Sequence, residues 1–418
     1  MNIFARWCLV AVISSLGVSC STKLRTTTDA AEYSDPKFKN AQAEIEREPT
    51  SPRGYINLAA FFMKESRRTG DFSLNANAEV AVAKALELAP DDIPARKLEA
   101  SLHLANHRFT KAVDAALAMK AELPRDSFVY GLLADAYVEI GDYTKAVEAE
   151  QTMVDLKPGT ASYSRVAQIR SLHGDHQGAI EMFLQAARIA DPADKETQSW
   201  CLVQLGDEYW KGGKFAEAEK IYDEALQKFP GYFFATVSKG RVRASVGDYE
   251  TAERLLTEVQ ARIPNAKAML MLGDIYELRG EDDKAREQYE KFEAFEKELG
   301  NAADHNRLAL SLADRGRIDE ALAIARKEYE IEPSIYSADL LGWCLYKSGD
   351  LADAKKYVLE AMRLNTSDPR ILFHAGMIAR AEGDKSGGNQ LLKSALERNP
   401  AFDLLRSRDA RSALAESN

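Results

Sequence analysis

A small residue recurs about every 34 positions along most of this 418-residue chain. Nine of the ten recurring residues are alanine and the tenth is glycine: Ala78, Ala112, Ala146, Ala179, Ala218, Ala252, Ala285, Ala321, Ala354 and Gly388. A period of this length is typical of short structural units that stack in an array. The chain is also long enough for two or three globular domains, but the period favours one extended array.

A second series of small residues lies twelve positions before the first, from the second unit onwards. Its members are Ala100, Ala134, Ala167, Gly206, Gly240, Gly273, Ala309, Gly342 and Gly376. Nearby apolar residues such as Tyr130, Leu133 and Tyr137 follow the spacing of one helix face. Two antiparallel helices approach closely only where both lack bulk. The two series therefore predict a tight helix crossing in each unit.

Glycine followed by aspartate stands between the two series in several units. These pairs begin at Gly141, Gly174, Gly247, Gly349 and Gly383. Glycine adopts the left-handed conformation that ends a helix, and aspartate caps the N-terminus of the next one. Each unit is therefore predicted to be a helical hairpin, and no segment has the sustained alternation of a strand.

The unit at residues 199–230 resembles the tetratricopeptide repeat (TPR). The matching residues are Leu202, Leu205, Gly206, Tyr209, Ala218, Tyr222, Ala225 and Pro230. The resemblance implies an all-α fold, a right-handed α-α superhelix of about ten helix-turn-helix repeats over residues 53–400. Residues 37–52 are then expected to form a lead-in helix, and residues 401–418 a C-terminal cap.

Three departures from the repeat predict irregularities. About five extra residues around Asp191 and Asp194, between the fourth and fifth units, are the best candidate for a bend or seam. Residues 292–299 are expected to lengthen a helix beyond the usual extent. Gly388 replaces the packing alanine of the last unit, which predicts a looser hairpin there.

The first 20 residues have the pattern of an export signal. One positive side chain, Arg6, precedes a short apolar run at residues 8–18, and small residues precede Cys20. This pattern resembles a bacterial lipoprotein signal, which implies that residues 1–19 are removed and that Cys20 is the lipid attachment site. Residues 20–36 are polar and are expected to form a flexible, lipid-anchored tether. Ordinary secretion and an uncleaved anchor are the alternatives.

In the TPR family the first helices of the hairpins line a concave groove. The inner positions of this chain that suit partner binding are aromatic or arginine: Trp200, Trp210, Phe234, Arg241, Tyr336, Trp343, Tyr346 and Phe373. Such side chains bury a large area at low entropic cost, which favours capture of a peptide or helix. The alternative is that they pack against neighbouring helices.

The motifs point away from catalysis and metal binding. His103 and His107 are four positions apart, but Leu104 stands where a zinc-protease motif needs glutamate, and no third ligand is evident. Cys201 and Cys344 are expected to be buried thiols. No nucleophile elbow, phosphate loop or dinucleotide motif is present. We therefore expect no enzyme activity, no metal site and no cofactor.

The leading hypothesis is a non-catalytic protein–protein interaction scaffold of the bacterial cell envelope, anchored by lipid on the periplasmic side of the outer membrane where the cell has two membranes. The net charge of −10, or −11 once Arg6 leaves with the signal, argues against nucleic acid and favours neutral or basic partner segments. Two alternatives stay open: a module that binds cell-wall glycan, and a regulatory subunit of an envelope enzyme.

Overall fold

The computed structural model describes residues 35–299 and 305–416, and these residues form 22 α-helices and no strand. The predicted signal, Cys20 and most of the tether lie outside the described residues. Helix α1 (Pro36–Arg47) leads into ten helical hairpins, and α22 (Arg406–Ala415) follows them. The all-helical solenoid predicted from the sequence is confirmed.

Each hairpin consists of a first and a second antiparallel helix. The first helices are α2 (Pro52–Thr69), α4 (Ile93–Ala105), α6 (Ser127–Glu139), α8 (Thr160–Leu172), α10 (Lys195–Lys211), α12 (Phe233–Ser245), α14 (Ala266–Leu278), α16 (His305–Asp314), α18 (Ile335–Ser348) and α20 (Pro369–Ala381). The second helices are α3 (Leu74–Leu88), α5 (Phe109–Glu122), α7 (Tyr143–Leu156), α9 (His176–Ile189), α11 (Phe215–Lys228), α13 (Tyr249–Gln260), α15 (Asp282–Leu299), α17 (Ile318–Ile331), α19 (Leu351–Ala361) and α21 (Lys385–Arg398).

The two series of small residues meet where the helices of a hairpin cross. A Cβ atom added to Gly342 would lie 3.2 Å from the backbone oxygen of Ala354, its counterpart on the second helix. In the last hairpin, a Cβ on Gly388 would lie 2.6 Å from the backbone oxygen of Gly376. The predicted looseness of this hairpin is therefore wrong, because two facing glycines let the backbones approach more closely than alanine would.

The turns between the two helices have the predicted chemistry. Gly141 and Gly349 have φ values of 75° and 91°, in the left-handed region that favours glycine. The aspartate that follows accepts a backbone hydrogen bond at the start of the second helix: Asp384 from the N–H of Gly387 at 2.8 Å, for example. Each glycine ends one helix and each aspartate starts the next.

The first helices lie side by side and form the inner surface of the solenoid. Contacts join α2 to α4, α4 to α6, α6 to α8, α10 to α12, α12 to α14, α16 to α18, and α18 to α20. Consecutive first helices contact each other least in two pairs, α8 with α10 and α14 with α16. The extra residues around Asp191 lie between the helices of the first pair, and between those of the second lies the long helix α15, which has 18 residues and ends at Leu299.

Hairpins far apart in the sequence touch one another along a line that we call the inter-turn seam. Its two sides are the turns at residues 141–143, 174–176 and 210–213, and the connections at residues 333–335, 363–367 and 398–400. The backbone N–H of Ile335 donates to the hydroxyl of Tyr143 at 2.9 Å, and Nη2 of Arg363 donates to the backbone oxygen of Gly141 at 3.3 Å. The seam therefore joins the third, fourth and fifth hairpins to the end of the array.

No helix in the described part of the chain combines the length and apolar character needed to span a membrane.

Candidate functional site

Four of the predicted groove residues lie together on two adjacent first helices. Trp200 and Trp210 belong to α10, and Phe234 and Arg241 belong to α12. All four are half-buried, so each side chain packs partly on the protein and keeps part of its surface open. We call these four residues the α10–α12 patch.

A cation and an aromatic ring are held against each other at the centre of this patch. The guanidinium carbon of Arg241 lies 3.9 Å from the centroid of the Trp210 ring, a favourable cation–π distance. Nη2 of Arg241 also donates to Oδ1 of Asp207 at 2.5 Å, and Nε1 of Trp210 donates to the hydroxyl of Ser245 at 2.9 Å. Both side chains are therefore fixed before any partner arrives, which lowers the entropic cost of binding.

Asp207 is the group that positions Arg241. The hydroxyl of Tyr222 donates to the same carboxylate oxygen at 2.6 Å. Burial first, and then the neighbouring carboxylate of Asp207, raise the pKa of Tyr222 well above its usual value, so this phenol remains a hydrogen-bond donor at physiological pH. The sequence analysis did not single out Asp207. It lies one position after the small residue Gly206 and 34 positions before Arg241, and this one-repeat spacing was a usable signal.

The other two members of the patch extend it along the apolar core. The ring of Phe234 lies 3.8 Å from that of Phe233 and 5.5 Å from that of Tyr232, measured between centroids. Trp200 packs on the core that contains Leu202 and Tyr222. The packing alternative is therefore realised in part for both, while a share of each side chain stays exposed.

A second group of predicted groove residues is mostly covered. Trp343 is 2% exposed and Phe373 is 1% exposed, whereas Tyr346 is half-buried. The Trp343 ring lies 5.0 Å from that of Tyr346 and 4.1 Å from that of His374 between centroids, and its Nε1 donates to Oδ1 of Asp314 at 2.9 Å. In this conformation the packing alternative describes both residues: Trp343 of α18 packs between α16 and α20, and Phe373 of α20 packs against Trp343.

Tyr336 lies apart from both groups, although it shares α18 with Trp343. It is half-buried and packs against the core of the second to fourth hairpins. Burial and the nearby carboxylate of Asp368 raise its pKa, and the charge of Lys211 opposes that shift. Tyr336 therefore lies next to the inter-turn seam and not in a groove.

The sequence analysis also missed a buried ionisable pair beside Trp343. Nδ1 of His374 lies 2.8 Å from Oδ1 of Asp339, and both residues are almost fully buried. They are 35 positions apart, about one repeat, on neighbouring first helices. Polar residues repeated at one inner position were the signal that could have identified this pair.

The structure shows little that could hold a metal. In residues 35–299 and 305–416, no three or more histidine, cysteine, aspartate or glutamate side chains form a group able to bind a metal ion. Burial lowers the pKa of His103, and the nearby charge of Arg108 adds to this effect. Cys201 and Cys344 are free and buried, as predicted, and burial raises the pKa of their thiols to about 11 and about 12.

Family models described as tetratricopeptide repeat match residues 97–161, 160–230, 237–298 and 305–327. A TPR repeat-containing protein of Pseudomonas aeruginosa is 24% identical over 270 residues, which cover 63% of this chain and 36% of that protein. An Hsp70-Hsp90 organising protein of Plasmodium falciparum is 25% identical over 154 residues, 35% of this chain and 25% of that protein. The chain thus spans only about a third or less of these relatives.

Among solved structures, the human IFIT1 dimer with m7Gppp-AAAA has a TM-score of 0.51 and 16% identity, covering 75% of this chain and 72% of that chain. This likeness shows a shared fold.

Proposed function

Because this chain is built of tetratricopeptide repeats, we propose that it is a non-catalytic scaffold that binds a peptide segment or helix of another protein on the inner face of its solenoid. TPR proteins generally mediate protein–protein interactions. One relative is named an Hsp70-Hsp90 organising protein, which describes a protein that organises two others. A role of that general kind is what we propose for this chain.

The α10–α12 patch is the observation that carries the proposal. Trp210 and Arg241 are held in place by Ser245 and Asp207, yet both keep an open surface on the inner face. Tryptophan and arginine are among the residue types that contribute most to protein-binding energy when a partner covers them. The proposed contact is therefore a partner side chain that covers the Trp210–Arg241 pair.

We propose further that the partner segment is neutral or basic. The chain has a net charge of −10, and the carboxylate of Asp207 lies beside the one arginine of the patch. Long-range attraction would speed the encounter with a basic segment and slow that with an acidic one.

The proposed location is the bacterial cell envelope, with the solenoid tethered through lipid on Cys20. The support is the order of Arg6, an apolar run at residues 8–18 and Cys20, followed by a polar stretch up to residue 36. Replacement Cys20→Ser tests the anchor: acyl labelling is expected to disappear and the protein to leave the membrane fraction. Unchanged membrane residence of the Cys20→Ser variant would contradict the lipid anchor.

Replacement Trp210→Ala tests the binding function. The variant should recover its partners from envelope extracts at least tenfold less efficiently than the unaltered chain, because the partner loses its central aromatic contact. Phe128→Ala is the matched control, since Phe128 is an exposed aromatic residue of another first helix, α6. Equal recovery by both variants would contradict the proposal, and recovery of wall glycan instead of protein would favour the glycan-binding alternative.

A further inference from the structure

The chain beyond the last hairpin turns back over the first helices. Asn399 is fully buried, and its Nδ2 donates to the backbone oxygen of Trp210 in α10 at 2.8 Å. Seven residues later, Nε of Arg406 lies 3.5 Å from Oδ2 of Asp314 at the end of α16. We call residues 399–416 the C-terminal segment; it reaches from the fifth hairpin to the eighth.

Three side chains, each two positions apart, anchor the C-terminal segment. The ring of Phe402 is buried and lies 5.6 Å from that of Phe373, which also contacts Trp343. Leu404 packs on the core of α12 to α15, and Arg406 pairs with Asp314. The segment therefore covers the same aromatic group on α18 and α20 that the repeat pattern predicts to face a groove.

The C-terminal segment has the form of a short helical ligand with a built-in cap. Oδ1 of Asp403 accepts the backbone N–H groups of Leu405 and Arg406 at 2.9 and 2.8 Å. These bonds satisfy donors at the start of α22 that the helix itself leaves unpaired. The pattern presented to the inner face is an aromatic residue, a leucine and an arginine at alternate positions, and the aspartate that accepts these two bonds lies between the first two.

We propose that the C-terminal segment is an internal ligand of the α14–α20 inner face, and that this face binds partner segments of the same pattern: an aromatic residue, leucine two positions later and arginine two positions after that. This proposal rests on the proposed function, since it names a part of the inner face and the chemistry of its partner. The C-terminal segment then competes with the partner segment for the inner face, so that only a partner segment able to displace it can bind.

The test uses the full chain and a fluorescent synthetic peptide with the sequence of residues 399–416. Replacement Arg406→Glu places a negative charge beside Asp314 and should free the inner face. The peptide is then expected to bind this variant at least tenfold more tightly than the unaltered chain, by fluorescence anisotropy. Arg408→Glu is the matched control, because it makes the same charge change at an exposed position two residues away.

A second variant tests the ion pair between Arg406 and Asp314. Adding Asp314→Asn to the Arg406→Glu chain should weaken the peptide at least fivefold. Circular dichroism confirms that each variant keeps its helical content.

Equal binding to the Arg406→Glu and Arg408→Glu chains, or no binding to either, would overturn the proposal. Exchange of the segment between two chains, seen as a dimer of the unaltered protein by light scattering, would also overturn it. The Trp210→Ala variant separates this proposal from the proposed function. The peptide is expected to bind the α14–α20 inner face whether or not Trp210 is replaced. Loss of partner recovery and loss of peptide binding can therefore be observed separately.

Discussion

Nε2 of His176 lies 2.7 Å from the hydroxyl oxygen of Ser367, although 191 positions separate the two residues. The other ring nitrogen of His176 lies 3.0 Å from Oε2 of Glu208. One buried imidazole thus joins the fourth and fifth hairpins to the connection between the ninth and tenth. An open solenoid, in which each repeat touches only its neighbours, has no such contact.

Replacement Ser367→Ala should weaken the inter-turn seam. It leaves one nitrogen of the buried His176 without a partner, which costs about 1–2 kcal/mol of unfolding free energy. Urea unfolding followed by circular dichroism measures the change. Ser412→Ala on the exposed side of α22 is the control and should shift the midpoint little. Identical midpoints for the two variants would mean that the seam contributes nothing to stability.

Glu208 should make the protein sensitive to acid. Burial alone would raise its pKa, but the charge of Lys211 and hydrogen bonds from His176, Lys211 and Ser171 lower it to about 2. The unfolded chain binds this proton at a higher pH, so the contribution is complete above about pH 5 and is lost as the pH falls towards 2.

Replacement Glu208→Gln should therefore lower stability at pH 7 by about 2–3 kcal/mol and flatten its dependence on pH between 5 and 2. Urea unfolding at several pH values provides the measurement. Glu217→Gln, at an exposed position of α11, should leave the pH dependence intact. If the stability of the Glu208→Gln variant falls between pH 5 and pH 2 as steeply as that of the unaltered chain, the lowered pKa of Glu208 is contradicted.

Asp274 should have the opposite effect on pH dependence. Its pKa is raised to about 7, by burial and then by Asp403, while a hydrogen bond from Tyr289 at 2.8 Å and the charge of Arg315 oppose the shift. The folded chain holds a proton here that the unfolded chain has released above about pH 4. Stability therefore falls as the pH rises from about 4 to 7 and stays lower above that range.

Replacement Asp274→Asn should raise stability at pH 8 by about 1–2 kcal/mol and remove the slope between pH 4 and 7. The asparagine oxygen can still accept the hydrogen bond from Tyr289. Asp283→Asn is the control, because that side chain is 98% exposed on α15. Thermal unfolding at pH 5 and pH 8 measures both, and a destabilised Asp274→Asn variant at pH 8 would refute the sign of the effect.

Replacement Gly206→Ala tests the close helix crossing of the fifth hairpin. The added Cβ would lie 2.4 Å from the ring of Tyr222, and neither helix can move without disturbing its neighbours. A loss of about 1–3 kcal/mol is expected from such overpacking. Gly159→Ala is the control, since a Cβ there meets no atom within 4 Å. Equal unfolding midpoints would show that the crossing tolerates bulk.

The hairpins were predictable because each is defined by residues close together in the sequence. At two of the crossings a glycine makes room for a large ring on the second helix: Gly206 faces Tyr222, and Gly273 faces Tyr289. Each ring lies 16 positions after its glycine, within one hairpin.

The inter-turn seam and the burial of Trp343 could not be predicted from residues close together in the sequence. The contact of His176 with Ser367 depends on the pitch of the superhelix, which is the sum of many small rotations between repeats. Trp343 is predicted to stand at an inner position from its spacing, but neighbouring helices bury it. The C-terminal segment, whose path no repeat pattern encodes, covers its neighbour Phe373.

The central claim is that the inner face binds protein, and site-specific photo-crosslinking tests it most directly. A photoreactive residue in place of Phe234, in the otherwise unaltered chain in cells, should give discrete protein adducts that mass spectrometry maps to the α10–α12 patch. The same residue in place of Leu359, which is 59% exposed on the second helix α19, should not give those adducts. Identical adducts at both positions, or none above background at position 234, would contradict the account.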